Sequence, residues 1–258
     1  MKNFIIKDPA DRLDLSYAFA NNYAALGKDP DPLVEMCEVA KAVVPGVPAR
    51  CALAHPAEIK ELVRLLEGSS VRPEVLIDFA DGMGGVATKE VQARLAKEAG
   101  AVGGDLVVNL HAVQKRDKKT LLAEFNAVSS HLETKVIAQI PYLWQYDREA
   151  IVWLLELLPE GGVYCIKDWT TRENFLLPDG ESLDYTHDTR LRYLEYMADY
   201  ISQHNIPLVM KVAGRVTTEN VASFVGAGAT LIGTSYRKAA SLRAALLASK
   251  QYFFNVSL

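Results

Sequence analysis

Two lysines stand where apolar runs end: Lys167 in Tyr164-Cys165-Ile166-Lys167-Asp168-Trp169-Thr170, and Lys211 in Met210-Lys211-Val212-Ala213-Gly214. Strand ends of this kind, at the C-terminal rim of a parallel α/β barrel, are where such folds hold their chemistry. Alternate side chains of a strand share a face, so Val163, Cys165 and Lys167 are expected to point one way, as are Val209, Lys211 and Ala213. If both faces line one interior, two ammonium groups meet in a small space. Desolvation and like-charge repulsion then lower one lysine from its ordinary value of about 10.4, which supplies the neutral amine that attack on a carbonyl needs. A lone lysine at a strand end is more often a solvated rim charge. Two on neighbouring inward faces are costly to bury unless a partner or a function compensates.

Asp105, Val107 and Asn109 alternate in the same way, which puts a carboxylate and an amide on one face of an apolar run. That carboxylate could orient a lysine and move protons, or merely satisfy local backbone donors. Asp14 and Ser16 share a face near the start of the chain, where they either bind substrate hydroxyls or end the strand. Gly233-Thr234-Ser235 leads towards a helical stretch, whose free amides suit a phosphate or carboxylate. Arg172, Arg215 and Arg237 follow strand ends and suggest an anionic substrate, with pairing to surface acids the plainer reading of each. Five histidines without ligand spacing disfavour a metal centre, and no Gly-x-Ser-x-Gly elbow is present. Asp81-Gly82-Met83-Gly84-Gly85 matches neither a nucleotide P-loop nor a dinucleotide fingerprint and reads as a βα loop.

Eight short runs rich in β-type residues must position these groups: 13–17, 50–54, 75–80, 105–110, 135–140, 163–167, 208–212 and 230–234. Amphipathic stretches at 31–44, 56–66, 88–99, 118–131, 147–157, 190–203, 219–225 and 238–250 alternate with them, each with apolar residues three and four apart. Eight such pairs predict a (β/α)8 TIM barrel as one domain over 1–258, with a doubly wound open sheet as runner-up. Pro56 suits a first helical position, and Gly68, Gly100 and Gly228 suit left-handed helix ends. The aperiodic stretch 174–188 is a candidate lid or specificity loop.

At 258 residues, 50% hydrophobic and 23% charged, the chain is long enough to bury a sizeable core. A net charge of -4 without a basic stripe excludes a nucleic-acid footprint, and no run reaches the roughly 20 apolar residues of a membrane span. No secretory signal pattern begins the chain, so a cytoplasmic site of action is expected. Cys37, Cys51 and Cys165 lack paired spacing and read as buried thiols.

Through Leu13-Asp14-Leu15-Ser16, Ala49-Arg50-Cys51-Ala52, Asp105-Leu106-Val107-Val108-Asn109 and the segment from Gly226 to Ser235, the chain resembles the class I deoxyribose-phosphate aldolases. The resemblance implies a (β/α)8 barrel with the imine-forming lysine at Lys167, the second lysine at Lys211 and the proton-relay aspartate at Asp105. It also implies that Asp14 and Cys51 lie near the substrate. The substrate end departs from the family pattern. Lys167-Asp168-Trp169-Thr170-Thr171 stands where Lys-Thr-Ser-Thr-Gly is usual, and Gly214-Arg215 stands where two glycines follow the second lysine. A Ser-Ser pair is here Ser235-Tyr236. The expected substrate-binding set is therefore Asp14, Ser16, Cys51, Thr170, Arg172, Gly214, Arg215, Gly233 and Ser235, with no metal and no cofactor.

The implied activity is a carbon-carbon lyase that splits 2-deoxyribose 5-phosphate into acetaldehyde and glyceraldehyde 3-phosphate. Rival readings are an isomerase or related Schiff-base aldolase acting on another sugar or aldehyde, and a barrel that binds a metabolite without turnover. The expected partners are a small aldehyde or sugar phosphate and, as is common in the family, a second copy in a homodimer. A C-terminal tyrosine that reaches the site in some relatives has a counterpart in Tyr252, although packing of an aromatic tail explains it as well.

Overall fold

Short runs of Val, Ile, Leu and Ala that are apolar on both faces can be buried only between a layer of helices and a filled interior. Eight of them do this: β1 (Leu13–Ser16), β2 (Cys51–Ala54), β3 (Arg72–Ile77), β4 (Gly103–Val107), β5 (Glu133–Ile137), β6 (Val163–Lys167), β7 (Val209–Ala213) and β8 (Ala229–Ser235). A computed structural model describes residues 3–17, 31–172, 182–249 and 256–257. Its eight strands pair in parallel and in chain order, and β8 returns to β1 to close the barrel. The fold is a (β/α)8 TIM barrel. A separate two-residue strand at Asn3–Phe4 pairs antiparallel with Val256–Ser257.

The eight amphipathic stretches all form helices around this ring, α1 (Pro32–Lys41), α2 (Ile59–Leu65), α3 (Gly85–Glu98), α5 (Lys118–Ser129), α7 (Arg148–Glu160), α8 (His187–Gln203), α9 (Val221–Gly226) and α10 (Ala239–Ser249), and two further short helices, α4 (Leu110–Gln114) and α6 (Ile140–Tyr146), follow β4 and β5. Their starts follow local chemistry. Asp31, Asp117 and Asp147 accept hydrogen bonds from the amides of Leu33, Thr120 and Ala150 and so cap α1, α5 and α7. Pro56 opens a 3-10 turn, Pro56–Glu58, before α2. Gly68, Gly100 and Gly228 take φ of 74°, 105° and 101°, as left-handed helix ends require.

Several sequence expectations change. The predicted strand 75–80 runs from Arg72 to Ile77 instead and ends where Asp78 turns to φ 54°. The predicted strands 105–110 and 135–140 each stop early, at Val107 and Ile137, because α4 and α6 begin in the loops that follow. Asn109 is the N-cap of α4, accepting from Ala112 N at 3.0 Å while its amide donates to Glu124, so it does not share the inward face of Asp105. Val163 also fails to share a face with Lys167. The register of β5 against β6 slips between Thr134 and Lys135, skipping Tyr164, so Val163 joins the core outside the barrel while Tyr164 turns inward with Cys165. Of the candidate lid, residues 174–181 lie outside the described residues, as does Tyr252. The last turn of that stretch is helical, because α8 starts at His187.

Candidate active site

Asp14, Asp105, Lys135, Lys167 and Lys211 all project into the barrel interior from β1, β4, β5, β6 and β7, and all are buried. Lys167 and Lys211 are register partners on adjacent strands. Both donate to the same atom, Asp105 Oδ2, at 2.9 and 2.8 Å. Lys211 also reaches Asp14 Oδ2 at 2.7 Å. Lys135 lies deeper and meets Asp105 Oδ1 at 2.9 Å, Asp14 Oδ2 at 3.0 Å and Glu74. Below them Arg50 holds Asp14 at 2.9 Å, Glu74 at 3.3 Å and the Tyr164 hydroxyl at 3.0 Å.

The three lysines differ in one countable respect. Lys167 has one carboxylate partner, Lys211 two and Lys135 three. Burial pushes every one of them down, and each carboxylate pulls back up. The balance follows the count: Lys167 falls below the ordinary lysine value, with Lys211 beside it adding to the fall, whereas Lys211 rises and Lys135 rises well above. Burial raises Asp105, but its three lysines overcome that and hold the carboxyl well below the usual range. Total charge leads to the same place. Arg50, Lys135, Lys167 and Lys211 face Asp14, Glu74 and Asp105, so the cluster is neutral when one lysine is unprotonated. Lys167, with the fewest anions, is the one that gives up its proton at least cost.

A cleft of about 430 Å³ opens above the pair, and Lys167 and Lys211 form part of its floor. Of the expected substrate-binding residues, Asp14, Ser16, Thr170, Gly214, Arg215, Gly233 and Ser235 line it. Cys51 does not. It is buried beneath Asp14, to which it hydrogen-bonds, and burial raises its thiol well above the ordinary range. Arg172 also stands apart from the lining, with its guanidinium 5.8 Å from the Phe79 ring centroid. Asp105 itself lies under the lysines rather than on the cleft wall. Leu53, Leu76 and Phe79 form the apolar side, and Arg215, Arg237 and Lys238 bring cations to the other. Asp14, Cys51 and Glu74 offer ligand atoms within 4.8 Å of one another, but Lys135 and Arg50 already occupy both carboxylates.

The altered substrate end keeps a glycine-like backbone. Thr171 and Arg215, at positions where the family pattern has glycine, adopt φ of 65° and 50°, and Gly214 between the lysine and Arg215 has φ of 66°. A Cβ built on Gly214 would fall 1.9 Å from Thr171 Cγ2, so the two turns touch. Trp169 is buried under them and donates Nε1–H to Ala213 O at 2.9 Å. Its ring lies 4.9 Å from that of Tyr185, over which the Arg215 guanidinium stacks at 3.9 Å.

Lys135, Glu74 and Arg50 are not among the residues expected from sequence, nor are Asp168, Arg190 and Tyr193 behind the rim. The first two carry the signal that marks Asp105: a charge inside an otherwise apolar strand. Arg190 and Tyr193 carry none, since arginine and tyrosine on an amphipathic helix are ordinary.

No protein-family model matches the chain. A deoxyribose-phosphate aldolase of Bacteroides thetaiotaomicron is 30% identical over 188 residues, covering 70% of this chain and 71% of the relative. One from Dictyoglomus turgidum is 28% identical over 182 residues, or 70% and 76% of the two chains. Among solved structures, the tetrameric deoxyribose phosphate aldolase of Aeropyrum pernix superposes with a TM-score of 0.67 at 21% identity, covering 93% of this chain and 91% of that one, a likeness of fold.

Proposed function

Because the chain belongs to the deoxyribose-phosphate aldolase family, we propose that it is a class I aldolase whose imine forms on Lys167. The observation that carries this reading is the shared Asp105 oxygen, on which a lysine lowered by burial sits beside a lysine held charged. The neutral amine of Lys167 attacks the substrate aldehyde, and loss of water leaves a protonated imine. That imine is an electron sink. When the C3 hydroxyl of a 2-deoxy sugar loses its proton, the C2–C3 bond breaks, its electron pair moves towards the iminium to leave an enamine, and C3 departs as a new aldehyde. Protonation of the enamine at C2 and hydrolysis return acetaldehyde and free Lys167.

Lys211 keeps Lys167 neutral by its charge and stands next to the developing imine. Asp105 is a fixed anion that anchors both lysines, and a water beside the two lysine nitrogens carries protons between them and the cleft. Asp14 and Ser16 face the substrate hydroxyls. The cationic rim of Arg215, Arg237 and Lys238 suits a terminal phosphate, so 2-deoxyribose 5-phosphate is the proposed substrate and glyceraldehyde 3-phosphate the second product. The Trp169–Tyr185–Arg215 stack narrows that end and favours a second reading, an aldolase with a different distal group. A panel of phosphorylated and free aldoses separates the two by kcat/KM.

Borohydride added with substrate is expected to fix a covalent adduct on Lys167, located by peptide mass spectrometry, and Lys167→Leu should abolish both adduct and turnover. Full activity with Lys167 unmodified would end the reading.

A further inference from the structure

Behind the rim, on the side away from the cleft, Arg190 of α8 is buried with its guanidinium 4.6 Å from the Phe224 ring centroid. Its Nη2 donates to Asp168 Oδ2 and to Ala213 O, both at 2.9 Å, and its Nη1 donates to Gly214 O at 2.7 Å. Asp168 is held in turn by the Tyr193 hydroxyl at 3.0 Å and by the amides of Trp169 and Ala213 at 3.0 and 2.8 Å. One buried ion pair thus ties the ends of β6 and β7 to α8. It also draws two successive carbonyls, those of Ala213 and Gly214, to one side.

In a trans peptide the N–H points opposite to the C=O. The amides paired with those two carbonyls belong to Gly214 and Arg215, and they therefore face away from Arg190, towards the side on which both residues line the cleft. Among the described residues neither amide donates to a protein acceptor. Two successive N–H groups directed to the same side of one turn form a concave anion seat.

We propose that Arg190, fixed by Asp168 and Tyr193, is a positioning residue that turns the Gly214 and Arg215 amides into a seat for the terminal anion of the substrate. The proposal rests on the aldolase reading only in taking that anion to be a substrate phosphate. The clamp replaces conformational freedom that glycines would leave at this turn, and it makes the seat depend on a charge pair that never touches the ligand.

The test uses the full chain and the Asp168→Asn/Arg190→Met double variant, which removes both charges and leaves neither buried alone. Inorganic phosphate is titrated by calorimetry, and KM and kcat are measured for 2-deoxyribose 5-phosphate and for 2-deoxyribose. Phosphate binding is expected to weaken about tenfold, the scale of a lost charge-assisted hydrogen bond. KM for the phosphorylated sugar should rise in proportion, and the ratio of the two KM values should shift with it. Arg190→Lys, which restores the charge without the fork, should recover only part. If the double variant does not fold, Tyr193→Phe carries the same test at about two- to threefold.

Unchanged phosphate affinity, or equal losses on both sugars, overturns the proposal, as does a native protein that binds no phosphate. That last result leaves the aldolase standing if Lys167 is still trapped by borohydride. An untrapped Lys167 with phosphate binding that weakens in the variant sinks the aldolase and keeps the seat.

Discussion

At the scale of single residues, the number of carboxylates around each lysine sets its state, and this makes the pH dependence specific. Lys167 titrates below an ordinary lysine, so kcat/KM should rise with pH through a limb displaced to the acid side of about 10.4. Lys211→Met removes the like charge that adds to this displacement. The limb should then move to higher pH by about one unit, with activity at neutral pH falling about tenfold for that reason alone. A limb that stays in place would show that Lys211 does not tune Lys167. Gly214 provides a steric test beside it. Gly214→Ala places a Cβ against Thr171 Cγ2 and forces an alanine to φ near 66°, so a loss of about 2 kcal/mol is expected in urea unfolding. Adding Thr171→Ser should recover the steric share and leave the backbone share. Lys167, Lys211 and Asp105 were legible because a charge amid strand-forming apolar residues must be compensated somewhere. Lys135 and Glu74 obey the same rule and were equally visible, whereas their contacts depend on which strands the barrel makes neighbours.

At the scale of elements, the order of strands and helices followed from periodicity, and the departures lie where one rule competed with another. Val108 and Ala138 extend their strands by composition, but Asn109 caps one helix and Gln139, at φ 56°, starts another, so chemistry local to the turn won over β propensity. The slip that turns Tyr164 inward has no signature in a strand that alternates cleanly on paper. Arg190 lies one turn into α8, and only the packing of that helix on the ends of β6 and β7 gives it a role. The approach of β7 to β8 is also readable only in three dimensions. A Cβ on Gly233 would sit 2.9 Å from Ala213 Cβ and 3.1 Å from Lys211 Cε. Gly233→Ala should therefore displace Lys211, lowering kcat and raising the acid limb of the pH profile, for an overpacking cost of about 1–3 kcal/mol. A variant with wild-type kinetics would show that Lys211 tolerates the shift.

At the scale of the molecule, the barrel interior carries a storey of paired charge among branched apolar side chains such as Leu53, Leu76, Val209 and Leu231. Asp14, Glu74 and Asp105 all titrate below their ordinary values when folded, so the unfolded chain binds their protons more readily. The stability they contribute is complete above about pH 4 and is lost as pH falls through the folded values. Lys135 and Lys211 are raised, so their share is complete below about pH 10.4 and is lost as pH climbs through theirs. Lys167 is lowered and works the other way, so urea midpoints should show a steep acid edge, a flat stretch above it, and a rise as pH passes from the folded Lys167 value towards about 10.4. Glu74→Gln leaves Lys135 and Arg50 short of an anion and should cost about 3–5 kcal/mol at neutral pH. A loss below about 1 kcal/mol would mean that water already screens the cluster.

That same storey closes the lower end of the barrel. Arg50 joins Tyr164 and Glu74, and Arg72 joins Glu133, at the N-terminal ends of the strands. If the imine forms on Lys167 as proposed, its two-carbon fragment stands behind the longer one, which lies nearer the cleft mouth, so the longer fragment leaves first and, in the reverse direction, the two-carbon donor enters first. Product inhibition should therefore show a compulsory sequence of departures, imposed by an ion-paired floor that never meets the reactants.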